Sequence, residues 1–219
     1  MRKYLFVISL ALLISLLMGG KASAMGPEDN QVFFVEEDRV HFLPESSYDK
    51  IKVTPTWIVI HTDDQPGRDA SEWKTSVTWN GLSGREEGGR SVHFAVGVDG
   101  IVQMLPMYQH MVMQGRASQK DAYSIQIEMC GRDYNKVVEG TADREMKEAV
   151  ELITGKTTSL VVKLMVAYKI PLGNIEGHYM QPGSGKTDPG DKYFEQIFLP
   201  LLRDKLLKNS KKNIPVRAE

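Results

Sequence analysis

The pattern of apolar and polar positions predicts several short strands in the middle of the chain. Residues 57–60 form an apolar run rich in β-branched side chains, and the run stops at His61, as a short buried strand does. Residues 91–98 and 101–105 are two β-rich runs on either side of an Asp-Gly pair, which predicts a hairpin. This part of the chain is therefore expected to supply three strands.

A further strand is expected over Ser124–Met129, where apolar and polar residues alternate. Successive side chains of a strand point to opposite faces of a sheet. Gln126 and Glu128 therefore share one face, opposite the two isoleucines of the same run. Glu128 is expected to face a polar space.

Helical spacing of apolar residues predicts one long core helix over residues 142–168. A short helix is expected near 70–77, followed by a glycine-rich, charged loop over 79–90. A last helix is expected over 192–207, and Pro200 is expected to kink or break it because proline lacks an amide hydrogen. Together these elements predict an α/β fold, a single domain with a central mixed β-sheet flanked by helices.

Length and composition fit one such domain. The chain has 219 residues, of which 42% are apolar and 25% charged, enough for one sizeable core and too little for two comfortable domains. The domain is expected to span 51–208, between an irregular arm at 25–50 and a polar tail at 209–219. No internal repeat and no separate wall-binding module is visible.

Residues 1–24 have the features of a secretory signal peptide, with a basic start, an apolar stretch and small residues before the expected cleavage site. The alternative is a retained membrane anchor, because the apolar run approaches the length of a bilayer-spanning helix. Ala22 and Ala24 favour cleavage. We therefore expect a secreted or periplasmic protein without stable membrane insertion after cleavage.

Cysteine content and charge narrow the class of protein further. Cys130 is the single cysteine, which excludes an internal disulfide in an exported protein and predicts a small buried residue. Signal cleavage removes Arg2, Lys3 and Lys21 and leaves 24 basic against 28 acidic residues, a net charge of −4. Nothing in this balance suggests a nucleic-acid partner.

The segment GHYMQPGSGKTDPG, residues 177–190, contains an apparent phosphate-binding loop, GSGKT. That motif requires a glycine five positions before Gly185 and a helix directly after its threonine. Met180 occupies the first of these positions, and an Asp-Pro-Gly turn signal follows Thr187. The phosphate-binding interpretation is therefore rejected.

The same segment carries two residues able to bind zinc, His178 and Asp188. The loop between them is rich in proline and glycine and can aim both side chains at one point. A hydrolytic zinc site has three protein ligands and an open position for water, and His61, at a strand end, is the best candidate for the third ligand. The residues alone leave an ordinary alternative open, a structural histidine and a turn-capping aspartate.

Four stretches in this order, WIVIHTDD, SVHFAVGVDGIVQMLP, SIQIEMCG and GHYMQPGSGKTDPG, resemble the zinc-dependent N-acetylmuramoyl-L-alanine amidases of the type 2 amidase family. The resemblance covers residues 54–200 and implies that the domain at 51–208 is an amidase catalytic domain. It also implies that His61, His178 and Asp188 are the ligands of a Zn²⁺ cofactor.

The resemblance further implies two catalytic residues. Glu128 matches the glutamate of a SIGIE-like strand and would do the acid-base work, and Lys186 would stabilise the negative charge that develops on the amide oxygen. The chain departs from the family pattern at Gln126, which replaces a glycine, and at Asp121, where relatives often have asparagine. His93 is expected in the core or beside the ligands, since a fourth ligand would close the position that water needs.

The function that these residues imply is that of an exported zinc amidase. Its substrate would be peptidoglycan or its muropeptide fragments, cut between N-acetylmuramic acid and L-alanine. Two alternatives stay open: a non-catalytic peptidoglycan-binding protein on the same fold, marked by loss of a metal ligand, and a zinc hydrolase of another amide. The oligomeric state stays unknown.

Overall fold

A computed structural model of the protein describes residues 30–63, 73–83 and 89–212. The strands are, in chain order, β1 (Asp49–Val53), β2 (Trp57–Thr62), β3 (Phe94–Gly97), β4 (Gly100–Gln103), β5 (Val112–Gln114), β6 (Ser124–Met129) and β7 (Ile175–Gly177). Five of them form the central sheet in the order β4-β3-β6-β2-β7. The β3–β4 pair is antiparallel and the other pairs are parallel, so the sheet is mixed, as predicted.

The predicted strands are present with small shifts in their limits. The run at 57–60 continues through His61 to Thr62 in β2, the Asp-Gly pair lies in the β3–β4 hairpin, and the alternating run is β6. The small sheet formed by β1 and β5 was not predicted, and neither was β7. Strands β5 and β7 have three residues each, which is too short for a periodic pattern to appear.

The helices are α1 (Thr75–Ser83), α2 (Asn135–Glu139), α3 (Arg144–Tyr168), α4 (Asp191–Tyr193) and α5 (Leu199–Lys212). The prediction of one long core helix is confirmed by α3. Its first turn is capped by Asp143, whose carboxylate accepts the Met146 amide hydrogen at 2.8 Å. Lys169 ends the helix in a left-handed conformation, with φ 56°.

One face of the central sheet packs against α3 and the C-terminal helical segment. Burial of each large aliphatic side chain contributes about 1.5–3 kcal/mol, so this face supplies most of the apolar stabilisation. The core side chains on the sheet and on α3 include Ile58, Ile60, Phe94, Ile125, Ile127, Ile153, Leu160 and Leu164.

The opposite face of the sheet buries polar side chains as well as a smaller apolar cluster. His93 and Gln126 are fully buried there, and Glu176 is 4% exposed. Residues 113–121 lie over this face, because each of the three polar side chains is hydrogen-bonded to that segment. The face predicted to be polar is therefore covered rather than open to solvent, except at one end of the strands.

The prediction of a helix near 70–77 and a loop over 79–90 is wrong in its limits. Residues 70–72 and 84–88 lie outside the described residues, and α1 runs through the first part of the expected loop. Its start is fixed by Asp99 of the hairpin, whose carboxylate accepts the Thr75 amide hydrogen at 2.9 Å and its hydroxyl hydrogen at 3.0 Å. Burial of Thr78 and Leu82, four residues apart, holds the helix to the domain.

The C-terminal helical segment does not break at Pro200. It begins as α4, widens into a π-helical turn over Phe194–Phe198, and continues as α5. The wide turn lies directly ahead of the proline, where the missing amide hydrogen interrupts the normal helical ladder. The expected kink is thus replaced by a local change of helix type.

The predicted signal peptide, residues 1–24, lies outside the described residues. Among the residues that the structure does describe, no helix combines the length and the hydropathy needed to cross a membrane.

Candidate metal centre

The carboxyl ends of three parallel strands meet at one edge of the central sheet. His61 lies near the end of β2 and is paired in register with Glu128 near the end of β6. Ile60 pairs with Gly177, the last residue of β7, so His178 follows at the same edge. Ligands commonly bind at the carboxyl ends of parallel strands, and this edge holds three of the five predicted site residues.

The loop from His178 to Gly190 folds back on itself. The Tyr179 amide donates to the Asp188 carbonyl oxygen at 3.0 Å, which closes the loop and brings Asp188 beside His178. Gly183 and Gly185 have φ values of 75° and 62°, a conformation that glycine adopts without steric cost. The glycines that made the segment look like a phosphate-binding loop therefore serve to turn the chain.

Gly177 is required at the base of this loop. A Cβ atom there would lie 2.8 Å from Pro189 Cδ and 2.7 Å from the Tyr179 ring. Any larger residue would push the end of the loop, at Pro189, away from β7. The Asp188–Pro189 peptide bond is cis.

His61, His178 and Asp188 converge on one point. The two Nδ1 atoms are 3.0 Å apart, and each lies 3.3 Å from Asp188 Oδ2. A tetrahedral zinc ion with bonds of about 2.0–2.1 Å holds its ligand atoms about 3.3–3.4 Å apart. The three groups thus fit a zinc ion in chemistry and in spacing, and all three residues are buried.

The electrostatics of the cluster favour a positive charge at its centre. Burial pushes the pKa of His61 down, but the hydrogen bond to Asp188 and the charges of Glu128 and Asp188 outweigh burial and raise it. Burial likewise opposes ionisation of Asp188, and the two histidines overcome it and hold the pKa of that carboxyl well below its usual range. A site that binds a proton in this way also suits a metal cation.

A cleft of about 220 Å³ opens over the cluster. Glu128 and Lys186 line it together with the three candidate ligands, so the structure brings all five predicted site residues to one place. Arg90 lines the same cleft and was missed by sequence reasoning, since a lone arginine after a glycine pair carries no distinctive signal. A larger open groove of about 1230 Å³ lies between the N-terminal arm and α3, and none of the five lines it.

His93 lies away from the ligand cluster. Its Nε2 donates to the Met113 carbonyl oxygen at 2.8 Å, and its Nδ1 accepts the Gln126 amide hydrogen at 3.0 Å. Burial lowers the pKa of His93 to about 4, so the ring is neutral near pH 7. Of the two expected positions, in the core or beside the ligands, His93 occupies the core.

Gln126 makes a contact that the sequence did not indicate. Its Oε1 lies 2.7 Å from His61 Nε2, on the side of the ring away from the cluster. The signal was available in principle, because Gln126 lies two residues before Glu128 on the same face. This signal can be interpreted only when β6 is known to lie beside β2 in the sheet, because that pairing brings Gln126 close to His61.

Several solved structures share this fold. The catalytic domain of XlyA matches with a TM-score of 0.55 at 20% identity, over 76% of this chain and 97% of that one. A mutant endolysin from Bacillus subtilis matches with a TM-score of 0.56 at 19% identity, over 76% and 96%. A Se-Met AmpD derivative matches with a TM-score of 0.50 at 20% identity, over 77% and 96%. At these identities the likeness establishes the fold alone.

The fold and the site define a mixed-sheet α/β domain with a metal-capable cleft at its strand ends. The family model described as N-acetylmuramoyl-L-alanine amidase matches residues 52–191, more than half of the chain. The chain therefore belongs to the N-acetylmuramoyl-L-alanine amidase family, as the four sequence stretches predicted, and amidase is its enzyme class. A comparison with curated proteins finds no match.

Proposed function

We propose that the protein is an exported, zinc-dependent amidase that hydrolyses the bond between N-acetylmuramic acid and L-alanine in peptidoglycan or its fragments. The observation that carries the proposal is the convergence of His61, His178 and Asp188 within 4.8 Å in a cleft also lined by Glu128 and Lys186. Family membership supplies the substrate class.

The three convergent residues would hold the zinc ion. His61 and His178 offer Nδ1 atoms and Asp188 offers a carboxylate oxygen, a donor set typical of catalytic zinc sites, which keep a further position open. When bound, zinc in such a site lowers the pKa of water from about 15.7 to about 7 and polarises a carbonyl oxygen. No metal ligand of the expected pattern is missing from this chain, in contrast to what a purely binding protein would show.

In this proposal Glu128 acts first as general base and then as general acid. It lies directly beside His61 in the β2–β6 register and faces the cleft. From there its carboxylate can take a proton from the attacking water and return that proton to the leaving amine of L-alanine. The alternation of β6, which puts Ile127 into the core, turns Glu128 toward the cleft.

In this proposal Lys186 stabilises negative charge on the substrate. It lies on the folded loop two residues before Asp188 and lines the same cleft as Glu128. As the amide carbon becomes tetrahedral, its oxygen gains charge that a fixed ammonium group stabilises. The lysine of the apparent phosphate motif would thus face a developing oxyanion.

A peptidoglycan digest tests the function. Purified protein is incubated with isolated peptidoglycan, with and without a zinc chelator, and the new termini are identified. We expect free L-alanine amino groups, no new reducing sugar ends, loss of activity with chelator and recovery on adding zinc. Binding to the wall without new termini would instead support the non-catalytic alternative.

Two variants test the role of Glu128 in the peptidoglycan digest, one of them as a control. Glu128→Gln removes the acid-base group and is expected to lower turnover by about 100-fold or more, with zinc content unchanged. Gln114→Ala serves as a control, because Gln114 bonds to Asp49, outside the cleft, and full activity is expected. Export is tested separately by sequencing the N-terminus of the protein recovered outside the cytoplasm, which should begin at Met25.

A further inference from the structure

A buried chain of hydrogen bonds leads from His61 to Asp121. Gln126 Oε1 lies 2.7 Å from His61 Nε2, and Gln126 Nε2 lies 3.1 Å from Asp121 Oδ1. Gln126 is fully buried on the polar face of the sheet. The side-chain amide therefore bridges a candidate metal ligand and a carboxylate that does not contact the metal position.

Three acceptors face Gln126 Nε2, and besides Ser118 Oγ at 2.9 Å two of them, on Asp121 and Ser124, fix the orientation of the amide. Asp121 Oδ1 accepts the Ala117 amide hydrogen at 3.0 Å and the Ser118 amide hydrogen at 2.9 Å, so the carboxylate is surrounded by donors. Ser124 donates its hydroxyl hydrogen to the Lys120 carbonyl at 2.6 Å, and its oxygen is left to accept from Gln126 Nε2. Both neighbours require the NH₂ group of Gln126 on their side, so Oε1 must point at His61.

This orientation decides the tautomer of His61. A carbonyl oxygen only accepts hydrogen bonds, so the nitrogen facing Oε1, His61 Nε2, carries the hydrogen. In the neutral ring the lone pair then resides on Nδ1, the atom that lies 3.0 Å from His178 Nδ1 and 3.3 Å from Asp188 Oδ2. A metal-binding imidazole needs this arrangement, with its second nitrogen held by a hydrogen bond.

We propose that Gln126, held by Asp121, is a positioning residue that fixes the ring orientation and the Nδ1-open tautomer of His61 for metal binding. This proposal depends on the proposed function only because it takes the bound ion to be zinc. Two positions at which the sequence departs from the pattern it resembles, 121 and 126, thus belong to one hydrogen-bonded unit. An aspartate at 121 can only accept, whereas an asparagine could face Gln126 with either end of its amide.

Zinc titration with a competing chelator, in the absence of substrate, tests the proposal. Gln126→Met keeps the length of the side chain and removes both ends of the bridge, and we expect zinc affinity to fall about 10–100-fold. Gln114→Ala, which touches neither His61 nor Asp121, should retain the wild-type affinity. Unchanged affinity in a folded Gln126→Met protein would overturn the proposal.

The tautomer itself is read from the ¹⁵N shifts of the neutral His61 ring in the metal-free protein, at a pH high enough to remove the second ring proton, because the pKa of His61 is raised. The wild type should show a hydrogen on Nε2, and Gln126→Met should show a mixture of tautomers. A neutral wild-type ring with its only hydrogen on Nδ1 would refute the proposal whatever the zinc result. Because neither measurement involves hydrolysis, a protein that passes both but leaves peptidoglycan intact would refute the proposed function and leave the positioning role standing.

Discussion

The two faces of the central sheet are similarly shielded from solvent but are stabilised in different ways. On the face toward α3, side chains such as Ile58 and Ile127 are in contact with other hydrocarbon groups, and stability grows with the apolar area removed from water. On the other face, His93, Gln126 and Glu176 each have hydrogen-bond partners, because an unpaired polar group buried there would cost free energy. The first face holds the domain together, and the second holds side chains at defined positions and leads directly to the candidate metal centre.

The largest effect is expected on the apolar face. Ile58 is fully buried at the end of β2 far from His61, and Ile58→Ala should lower the free energy of unfolding by about 4 kcal/mol through lost transfer energy and a cavity. Urea unfolding of the metal-free protein measures the change. Val166→Ala on α3, where the side chain is 63% exposed, should change it by less than about 0.5 kcal/mol. Equal losses in both variants would contradict the assignment of this face as the core.

The apolar face is also the part that could be predicted from the sequence. Hydrophobic period and β-branched runs locate β2 and β6, the Asp-Gly pair locates the hairpin, and helical spacing locates α3. These signals are local, because each depends on residues within one element. The site candidates were likewise available from their positions at a strand end and in one turn-rich loop, with the family resemblance selecting among them.

The contacts of the polar face could not be predicted, because they depend on which strands are neighbours. Gln126 reaches His61 only because β6 lies beside β2 in the observed register, and no period within β6 encodes that register. The prediction of where α1 begins fails for the same reason, since its capping group, Asp99, lies 24 residues further along the sequence. Strands of three residues, such as β7, carry too few positions for any pattern.

A smaller loss in the free energy of unfolding is expected when the polar face loses one member of an ion pair. Lys120 Nζ lies 2.6 Å from Glu176 Oε2 and 3.2 Å from the centre of the Trp57 ring. Lys120→Met keeps an aliphatic side chain over the ring but leaves the buried carboxylate without its cation, at an expected cost of about 3 kcal/mol.

The double variant Lys120→Met with Glu176→Gln tests the cause of that loss. Removing both charges should return the free energy of unfolding to within about 1 kcal/mol of wild type, because no unpaired charge then remains. If the double variant is as unstable as Lys120→Met alone, the loss comes from packing. Ion pairing would then not be what stabilises the polar face at this position.

The smallest predicted effect is the pH dependence of the free energy of unfolding that comes from His93. Its pKa is lowered by burial from 6.5 to about 4 in the folded protein, so between these values the unfolded chain binds more protons than the folded one. Stability therefore rises with pH through this window, and His93 should account for a loss of roughly 2 kcal/mol between pH 7 and pH 5.

The comparison of wild type with His93→Gln isolates this contribution. His61 acts in the opposite direction, because its pKa is raised in the folded protein and its contribution to stability is lost as pH rises. That term is common to both proteins and cancels in their difference. Urea unfolding of the metal-free proteins at both pH values should show the smaller decrease for His93→Gln, since a glutamine does not titrate. Parallel pH curves would mean that His93 is protonated to the same extent in the folded and unfolded chains, which a fully buried, neutral ring on the polar face does not allow.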